Sequence, residues 1–106
     1  MMTEIISKII KNNLLSILRE IEKQNYLAET YSKEELSFDD EMFQLFEYID
    51  VADEYAVAYE SIISTLENHK YILSGIAAVK LLEVGLLMKY KTEREEDKIF
   101  DNRRQK

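Results

Sequence analysis

The residues of this chain with the most evident chemical capacity are eleven carboxylates between Lys33 and Lys70, a segment that contains no lysine or arginine. They are Glu34, Glu35, Asp39, Asp40, Glu41, Glu47, Asp50, Asp53, Glu54, Glu60 and Glu67. We call residues 34–69 the acidic block; its formal charge of −11 exceeds the −7 of the whole chain. Neighbouring like charges on a helix repel by a few tenths of a kcal/mol per pair, so the block mildly opposes folding. A strongly basic counterpart outside the chain would account for it.

No arrangement of these or other residues matches a catalytic or metal-binding motif. Leu66 stands three residues before the single histidine, His69, which excludes the Glu-x-x-His pairs of carboxylate-bridged di-metal bundles. A lone histidine near the end of a helix is typically a surface residue or complements the helix dipole. The nucleophile elbow, P-loop, dinucleotide-binding glycines, zincin motif and EF-hand loop are absent from the sequence. We therefore expect no enzyme activity, no cofactor and no metal site.

Length and composition predict one all-helical domain. The 106 residues include no cysteine, no proline and two glycines, which excludes disulfides and leaves few tight turns for a β fold. The apolar stretch 71–90 carries Lys80 and Glu83 near its middle. Each would cost about 3 kcal/mol in a bilayer, so we expect this stretch in the protein core. With no signal-like N-terminus and a net negative charge, we expect a cytoplasmic protein that binds neither membranes nor nucleic acid directly.

Apolar residues at steps of three and four predict most of the helices. The first helix is expected over residues 3–25. A loop or short helical turn should follow, with a capping box at Ser32, before the next helix begins near Ser37. The apolar period then continues over residues 42–66. This continuity favours one long helix over two helices with a break near residues 50–53.

The last long helix is expected over residues 75–89, with Ser74 as its N-cap. Apolar residues cover most of its circumference, which is typical of a central helix. Gly75 and Gly85 lie on one face with Ala78 and Leu82. These small residues should let a neighbouring helix approach closely.

A further capping box, which begins at Thr92, should open a short terminal turn in which Ile99 and Phe100 dock back on the body. Residues 102–106 are expected to form a frayed tail. The fold prediction is therefore all-α: a single domain over residues 1–106, built as an antiparallel bundle of about three to five helices around the central helix.

The candidate partner-binding residues lie in the helical part of the acidic block. The predicted set is Asp40, Phe43, Glu47, Tyr48, Asp50, Asp53, Glu54 and Tyr55. On one continuous helix the four acids at positions 40, 47, 50 and 54 share a stripe with Phe43, while Phe46 and Ile49 face the core. Aromatic rings among carboxylates offer a stiff contact surface and charges that steer a basic partner. An ordinary solvated face remains an alternative, and the helix dipole alone would explain residues 39–41.

The stretch from Lys80 to Asp101, KLLEVGLLMKYKTEREEDKIFD, resembles the end of small helical immunity proteins of bacterial polymorphic toxin systems. It is particularly similar to those that accompany EndoU-type RNase toxins of contact-dependent inhibition. The resemblance implies a one-to-one complex with a cognate toxin domain and protection of the producing cell. It transfers no contact residue, so the interface prediction stays on the acidic block.

Together these features predict an immunity protein, or antitoxin, that binds a basic nuclease toxin and blocks substrate access to its RNA cleft. In this hypothesis Asp40, Glu47, Asp50 and Glu54 meet lysines and arginines of the cleft, while Tyr48 and Tyr55 fill apolar hollows there. Two alternatives stay open. One is a nucleic-acid mimic that inhibits a CRISPR or restriction effector, and the other is a non-catalytic adaptor or homo-oligomeric helical subunit.

Overall fold

The described part of the chain consists of helices joined by turns and short irregular segments. The computed structural model describes the backbone of residues 4–104 and the side chains of residues 4–89. Its α-helices are α1 (Glu4–Glu22), α2 (Phe38–Phe46), α3 (Tyr55–Asn68) and α4 (Gly75–Arg104). A 3-10 helix (Asn25–Thr30) follows α1, a π-helical turn (Glu47–Val51) follows α2, and no strand occurs within residues 4–104. The all-α prediction is confirmed.

Helix α1 supplies one wall of the core and ends three residues before the predicted boundary. Ile10, Leu14 and Ile17 are fully buried, as their spacing requires. The chain then forms a tighter turn, in which the backbone N–H of Gln24 donates to the carbonyl of Ile21 at 3.0 Å. The side-chain amide of Gln24 also donates to the carbonyl of Ile72 (2.8 Å) and accepts from its backbone N–H (2.9 Å). These bonds hold the end of α1 against the α3–α4 connection.

The start of α2 confirms the predicted cap. Ser37 is the N-cap residue, and its hydroxyl accepts a hydrogen bond from the backbone N–H of Asp40 at 3.1 Å. At the earlier capping box, the Glu35 carboxylate accepts from the Ser32 N–H at 2.7 Å. Only a turn forms there, at Lys33 and Glu34, so the box stabilises a loop rather than a helix.

The prediction of one continuous helix through residues 42–66 is wrong. The chain widens into the π-helical turn, where the Ala52 N–H bonds to the Glu47 carbonyl at 2.9 Å. The Glu54 N–H then bonds to the Tyr48 carbonyl at 2.8 Å. Asp53 between them has φ 54°, the left-handed region that aspartate tolerates better than most residues. The break therefore lies where the two-helix alternative placed it.

Helix α4 packs antiparallel to α1 rather than through the centre of the fold. Glu83 of α4 lies opposite Asn13 of α1, and Lys80 lies opposite Ser16. The Ser74 hydroxyl accepts from the Ala77 N–H at 3.1 Å, which confirms the predicted cap. The central position is wrong, because only one side of α4 is buried and large apolar residues cover the opposite side. Among the described side chains, burial thus does not explain the full coverage by apolar residues.

The predicted end of the last helix is also wrong, because α4 continues to Arg104. No separate turn begins at Thr92, and residues 102–104 belong to the helix. The side chains of Ile99 and Phe100 lie outside the described residues, and so do residues 105–106.

At the small residues of α4, the structure shows a side-chain contact at one position rather than the predicted close approach of a helix. A Cβ at Gly85 would lie 2.7 Å from the Tyr59 hydroxyl oxygen, so glycine leaves room for the Tyr59 ring of α3. A Cβ at Gly75 would meet nothing within 4 Å, and Ala78 and Leu82 are exposed. The predicted common face therefore divides, with Gly85 turned toward α3 and the other three residues turned to solvent.

Candidate partner-binding surface

The five acids of the predicted partner-binding set are all exposed, but they do not form one stripe. Asp40 lies in α2, Glu47 and Asp50 in the π-helical turn, and Asp53 and Glu54 in the break that follows. Since the stripe assumes an uninterrupted α-helix, the wider turn and the left-handed residue destroy its register. Asp40 and Glu47 keep their helical spacing with Phe43, whereas Glu54 begins a new helix.

A lysine from α1 compensates part of the acidic block. Lys11 Nζ lies 3.6 Å from Asp50 Oδ1 and 3.7 Å from Asp53 Oδ1. These ion pairs are partly exposed, so each contributes at most about 1 kcal/mol. They nevertheless place a cation within a segment that has none of its own. Among the described side chains, no lysine or arginine lies within 4.0 Å of the Asp40, Glu47 or Glu54 carboxylates.

The two tyrosines of the predicted set pack partly within the fold. Tyr48 and Tyr55 are half-buried and pack against the hydrophobic core. The Tyr55 hydroxyl donates to Asp53 Oδ1 at 3.1 Å. Burial, followed by this hydrogen bond, raises the pKa of the Tyr55 phenol. Tyr55 thus contacts the left-handed residue, and part of its ring packs within the fold.

Within the acidic block, the exposed aromatic residues are instead two phenylalanines of α2. Phe43 is 63% exposed, as expected, and Phe46 is 42% exposed, which corrects its predicted core position. The buried positions of this segment are Phe38, Met42, Leu45 and Ile49, at steps of four, three and four. The apolar spacing fits a helix whether Phe46 or the side with Met42 and Leu45 faces the core. Only the packing of α2 on α1 distinguishes these two orientations.

Phe43 and Phe46 line an open groove of about 420 Å³ between α2 and the end of α1. Its other lining residues are Glu22, Asn25, Phe38, Asp39 and Met42. The groove therefore combines aromatic and apolar walls with carboxylates from both helices. We call Glu22, Asp39, Phe43, Phe46 and Glu47 the acidic-aromatic surface.

A second polar cluster, which the sequence did not reveal, centres on His69. Its ring is buried, with 8% of the residue exposed, and stacks on Tyr31. Nδ1 lies 3.1 Å from the Thr30 hydroxyl, and Nε2 lies 3.1 Å from Glu35 Oε1. The Thr30 hydroxyl donates to the Leu27 carbonyl at 2.7 Å, so it accepts from Nδ1. Of the two roles expected for this histidine, the surface position is wrong because the ring is buried, whereas its place at the C-cap of α3 agrees with the dipole-complementing position.

A chain of hydroxyl hydrogen bonds adjoins this histidine. Tyr31 donates to Glu41 Oε1 at 2.6 Å, so its oxygen accepts from the Tyr71 hydroxyl at 2.7 Å. Burial and the bond to Glu41 raise the pKa of Tyr31 strongly, and burial raises that of Tyr71. The hydrogen bond from the Ser32 N–H lowers the pKa of the Glu35 carboxyl, and the contact with His69 lowers it further. Every one of these groups has a partner within the molecule, so the cluster is a structural element that fixes the 3-10 helix and loop against α3.

No protein-family model, curated protein or solved structure matches this chain. In the part of the chain whose side chains are described, no three histidine or carboxylate residues converge on a common metal position. No helix within the described residues is long and apolar enough to cross a membrane. The geometry of the acidic-aromatic surface is therefore the main guide to function.

Proposed function

We propose that this chain is a non-catalytic immunity protein that binds and neutralises a basic nuclease toxin domain. One observation carries the proposal: two exposed phenylalanines, Phe43 and Phe46, lie in a groove with carboxylates on both sides. The sequence resemblance to immunity proteins that accompany RNase toxins supports the same class of partner.

The groove suits an arginine side chain. A guanidinium stacks on an aromatic face and bonds to carboxylates in its own plane. Here the rings of Phe43 and Phe46 would take the stacking contact, and Glu22 and Asp39 would take the hydrogen bonds. A nuclease presents arginines and lysines where it holds phosphates. Carboxylates that occupy those groups would exclude the RNA substrate.

The remaining charges would act mainly on the rate of encounter. Opposite electrostatic fields steer two proteins together and raise the association rate at low salt. Glu47 and Glu54 are exposed and lack an internal base among the described side chains. Asp50 and Asp53 share Lys11, so their contribution to the external field is smaller. Asp40 also lacks such a base, but it lies in the first turn of α2, where the helix dipole offsets its charge. This assigns the steering role chiefly to Glu47 and Glu54.

The test uses the toxin domain encoded beside this gene, because immunity proteins are encoded next to their toxins. The double variant Glu47→Lys with Glu54→Lys should lower the association rate at low salt by about tenfold and flatten its salt dependence. The matched control is Glu60→Lys with Glu67→Lys, which makes the same charge change on exposed positions of α3. Phe43→Ala should instead raise the dissociation rate, because it removes groove contacts from an exposed position.

Two results would contradict the proposal. The first is an unchanged salt dependence in the Glu47 and Glu54 double variant together with full protection of cells from the toxin. The second is a failure of the wild-type chain to bind the neighbouring toxin domain. Tight binding to a CRISPR or restriction effector instead would support the nucleic-acid mimic, which uses the same electrostatics against another target.

A further inference from the structure

The side of α4 that faces away from the core carries a continuous apolar surface. We call Ile72, Ile76, Val79, Leu82 and Leu86 the outer face of α4. These five residues are between 60% and 71% exposed. The spacing of the last four, at steps of three, three and four residues, places them along one side of the helix. Ile72 lies in the connection before α4. The opposite side carries the buried Ala77 and Val84, so α4 is apolar on both sides.

Two charged residues, Lys80 and Glu83, border the outer face. Each bonds to α1, and Glu83 is also exposed. Lys80 Nζ donates to the Ser16 hydroxyl at 3.0 Å, and Glu83 Oε1 accepts from the Asn13 amide at 2.6 Å. A helix surface that carries charges of both signs would oppose association. Here the exposed large side chains from Ile76 to Leu86 are aliphatic over about three helical turns, and the one exposed charge, Glu83, is held at the edge by Asn13.

The size of the outer face is sufficient for a small dimer. Five aliphatic side chains at this exposure present an apolar area on the order of 500 Å², comparable to the largest patch of a typical monomer. A two-fold contact uses the same patch on both copies, which gives about 1,000 Å² in total. That area meets the lower bound for a specific protein interface.

We propose that two copies of this chain associate through the outer face of α4, with the two helices antiparallel. In this orientation each end of the face in one copy meets the opposite end in the other copy. Leu86 of one copy fills the space beside Gly75 of its partner, where a Cβ would meet nothing within 4 Å. Leu82 meets Val79, so large and small groups interlock along the contact.

The proposal does not depend on the proposed function. None of the residues of the acidic-aromatic surface belongs to α4, so the dimer would carry two copies of that surface. Sedimentation equilibrium tests the association directly, at protein concentrations from about 1 to 100 μM, the range of modest interfaces. The apparent mass should rise from 12.6 kDa toward twice that value as the concentration increases.

Two variants locate the contact. Leu82→Glu should keep the protein monomeric throughout this range with an unchanged helical circular dichroism spectrum, because Leu82 is mostly exposed. Val51→Glu makes the same change at an equally exposed residue outside α4 and should leave the dimer intact. A mass of 12.6 kDa at every wild-type concentration, or a Leu82→Glu protein that still dimerises, would overturn the proposal.

Disulfide crosslinking tests the orientation of the two helices. Because the sequence contains no cysteine, only the introduced cysteines can react. A mixture of Gly75→Cys and Leu86→Cys proteins should form a disulfide between unlike copies, since an antiparallel pair brings these positions within bonding distance. Each protein alone should crosslink poorly. Efficient crosslinking of Leu86→Cys with itself, and none in the mixture, would overturn the antiparallel arrangement.

Discussion

The imidazole of His69 lies parallel to the phenol ring of Tyr31, with 3.8 Å between ring centroids and 8° between ring planes. His69 ends α3, whereas Tyr31 follows the 3-10 helix. The stack, together with the contacts of His69 to Thr30 and Glu35, therefore fixes a segment that has little buried apolar surface of its own. In the described 3-10 helix no residue is classed as buried, so this polar cluster replaces a local core.

Removal of the His69 ring should destabilise the fold. His69→Ala loses the stack and both hydrogen bonds, and we expect a loss of about 2 to 3 kcal/mol in the free energy of unfolding. His69→Phe retains a flat ring but leaves Thr30 and Glu35 without their partner, which should cost about 1 kcal/mol. Urea unfolding monitored by circular dichroism measures both. The neighbouring exposed change Asn68→Ala should cost less than about 0.5 kcal/mol, and an equal effect from His69→Ala would contradict the assigned role.

Stability should fall in acid because two carboxyl groups are stabilised as anions by the fold. The Ser74 hydroxyl and N–H lower the pKa of Glu20, and the Ser32 N–H and His69 lower that of Glu35, from an ordinary value of 4.5. A carboxyl with a lowered folded-state pKa contributes its full stability above the unfolded value and loses it as the pH falls below that value. The melting temperature should therefore decrease below about pH 4.5.

The variant Glu20→Gln should reduce this acid dependence, because its amide no longer titrates. Glu60→Gln is the control, an exposed change at a residue that has no hydrogen bond to the Ser74 or Ser32 groups. Thermal melts between pH 7 and pH 3 would compare the slopes. Identical slopes for wild type and Glu20→Gln would show that the bonds to Ser74 do not contribute.

Stability should also fall in alkali, through three tyrosines. The pKa values of Tyr31, Tyr55 and Tyr71 are raised above 10.0, chiefly by burial. The folded state thus retains these phenol protons more strongly, so their contribution is complete below pH 10 and is lost as the pH rises further. Tyrosinate absorbance and helical circular dichroism should then change together above pH 10. In Tyr31→Phe the shared step should shrink; ionisation of all tyrosines before any loss of helix would contradict the prediction.

The contact between Gly85 and Tyr59 predicts a position-dependent effect of alanine. Gly85→Ala would place a Cβ 2.7 Å from the Tyr59 hydroxyl oxygen, and overpacking of this kind costs about 1 to 3 kcal/mol. The higher helix propensity of alanine relative to glycine offsets up to about 1 kcal/mol of this cost. We therefore expect a net loss near 1 kcal/mol in the free energy of unfolding. Gly75→Ala, which meets open space, should be neutral or stabilising.

Tyr59→Phe provides the check on this mechanism. Removal of the hydroxyl leaves the nearest ring carbon 3.3 Å from the new Cβ. In a double-mutant cycle measured by urea unfolding, Gly85→Ala should therefore cost less in the Tyr59→Phe background. An equal cost in both backgrounds would mean that another contact limits this position.

Local signals predicted the parts of the fold that depend on near neighbours. The caps at Ser37 and Ser74 formed as expected, because a side-chain oxygen needs only an N–H three residues ahead. The buried stripe of α1 also followed from spacing. The break at Asp53 could not be located with the same certainty, since the apolar period runs through it and the compensating Lys11 lies about forty residues away in α1.

The candidate site was only partly predictable for a related reason. Exposure of Phe43 and burial of Ile49 were expected, but Phe46 and the outer face of α4 were assigned to the core. Spacing shows that a residue is apolar and lies on a helix face; it does not show whether a second surface covers that face. The inward turn of His69 likewise depends on Tyr31, which no periodicity connects to it.

The double hydrogen bond between the Gln24 side chain and the backbone of Ile72 has a dynamic consequence. The side-chain amide of Gln24 bonds to both the N–H and the carbonyl of Ile72, 48 positions away. The backbone of a neighbouring β-strand would satisfy the same two groups. Opening of the connection before α4 breaks both bonds and also the bond from the Ser74 N–H to the Glu20 carboxylate of α1, so the two segments are coupled. Native-state hydrogen exchange at Ile72 and in the last turn of α1 should thus report a single opening event shared by segments that are remote in sequence.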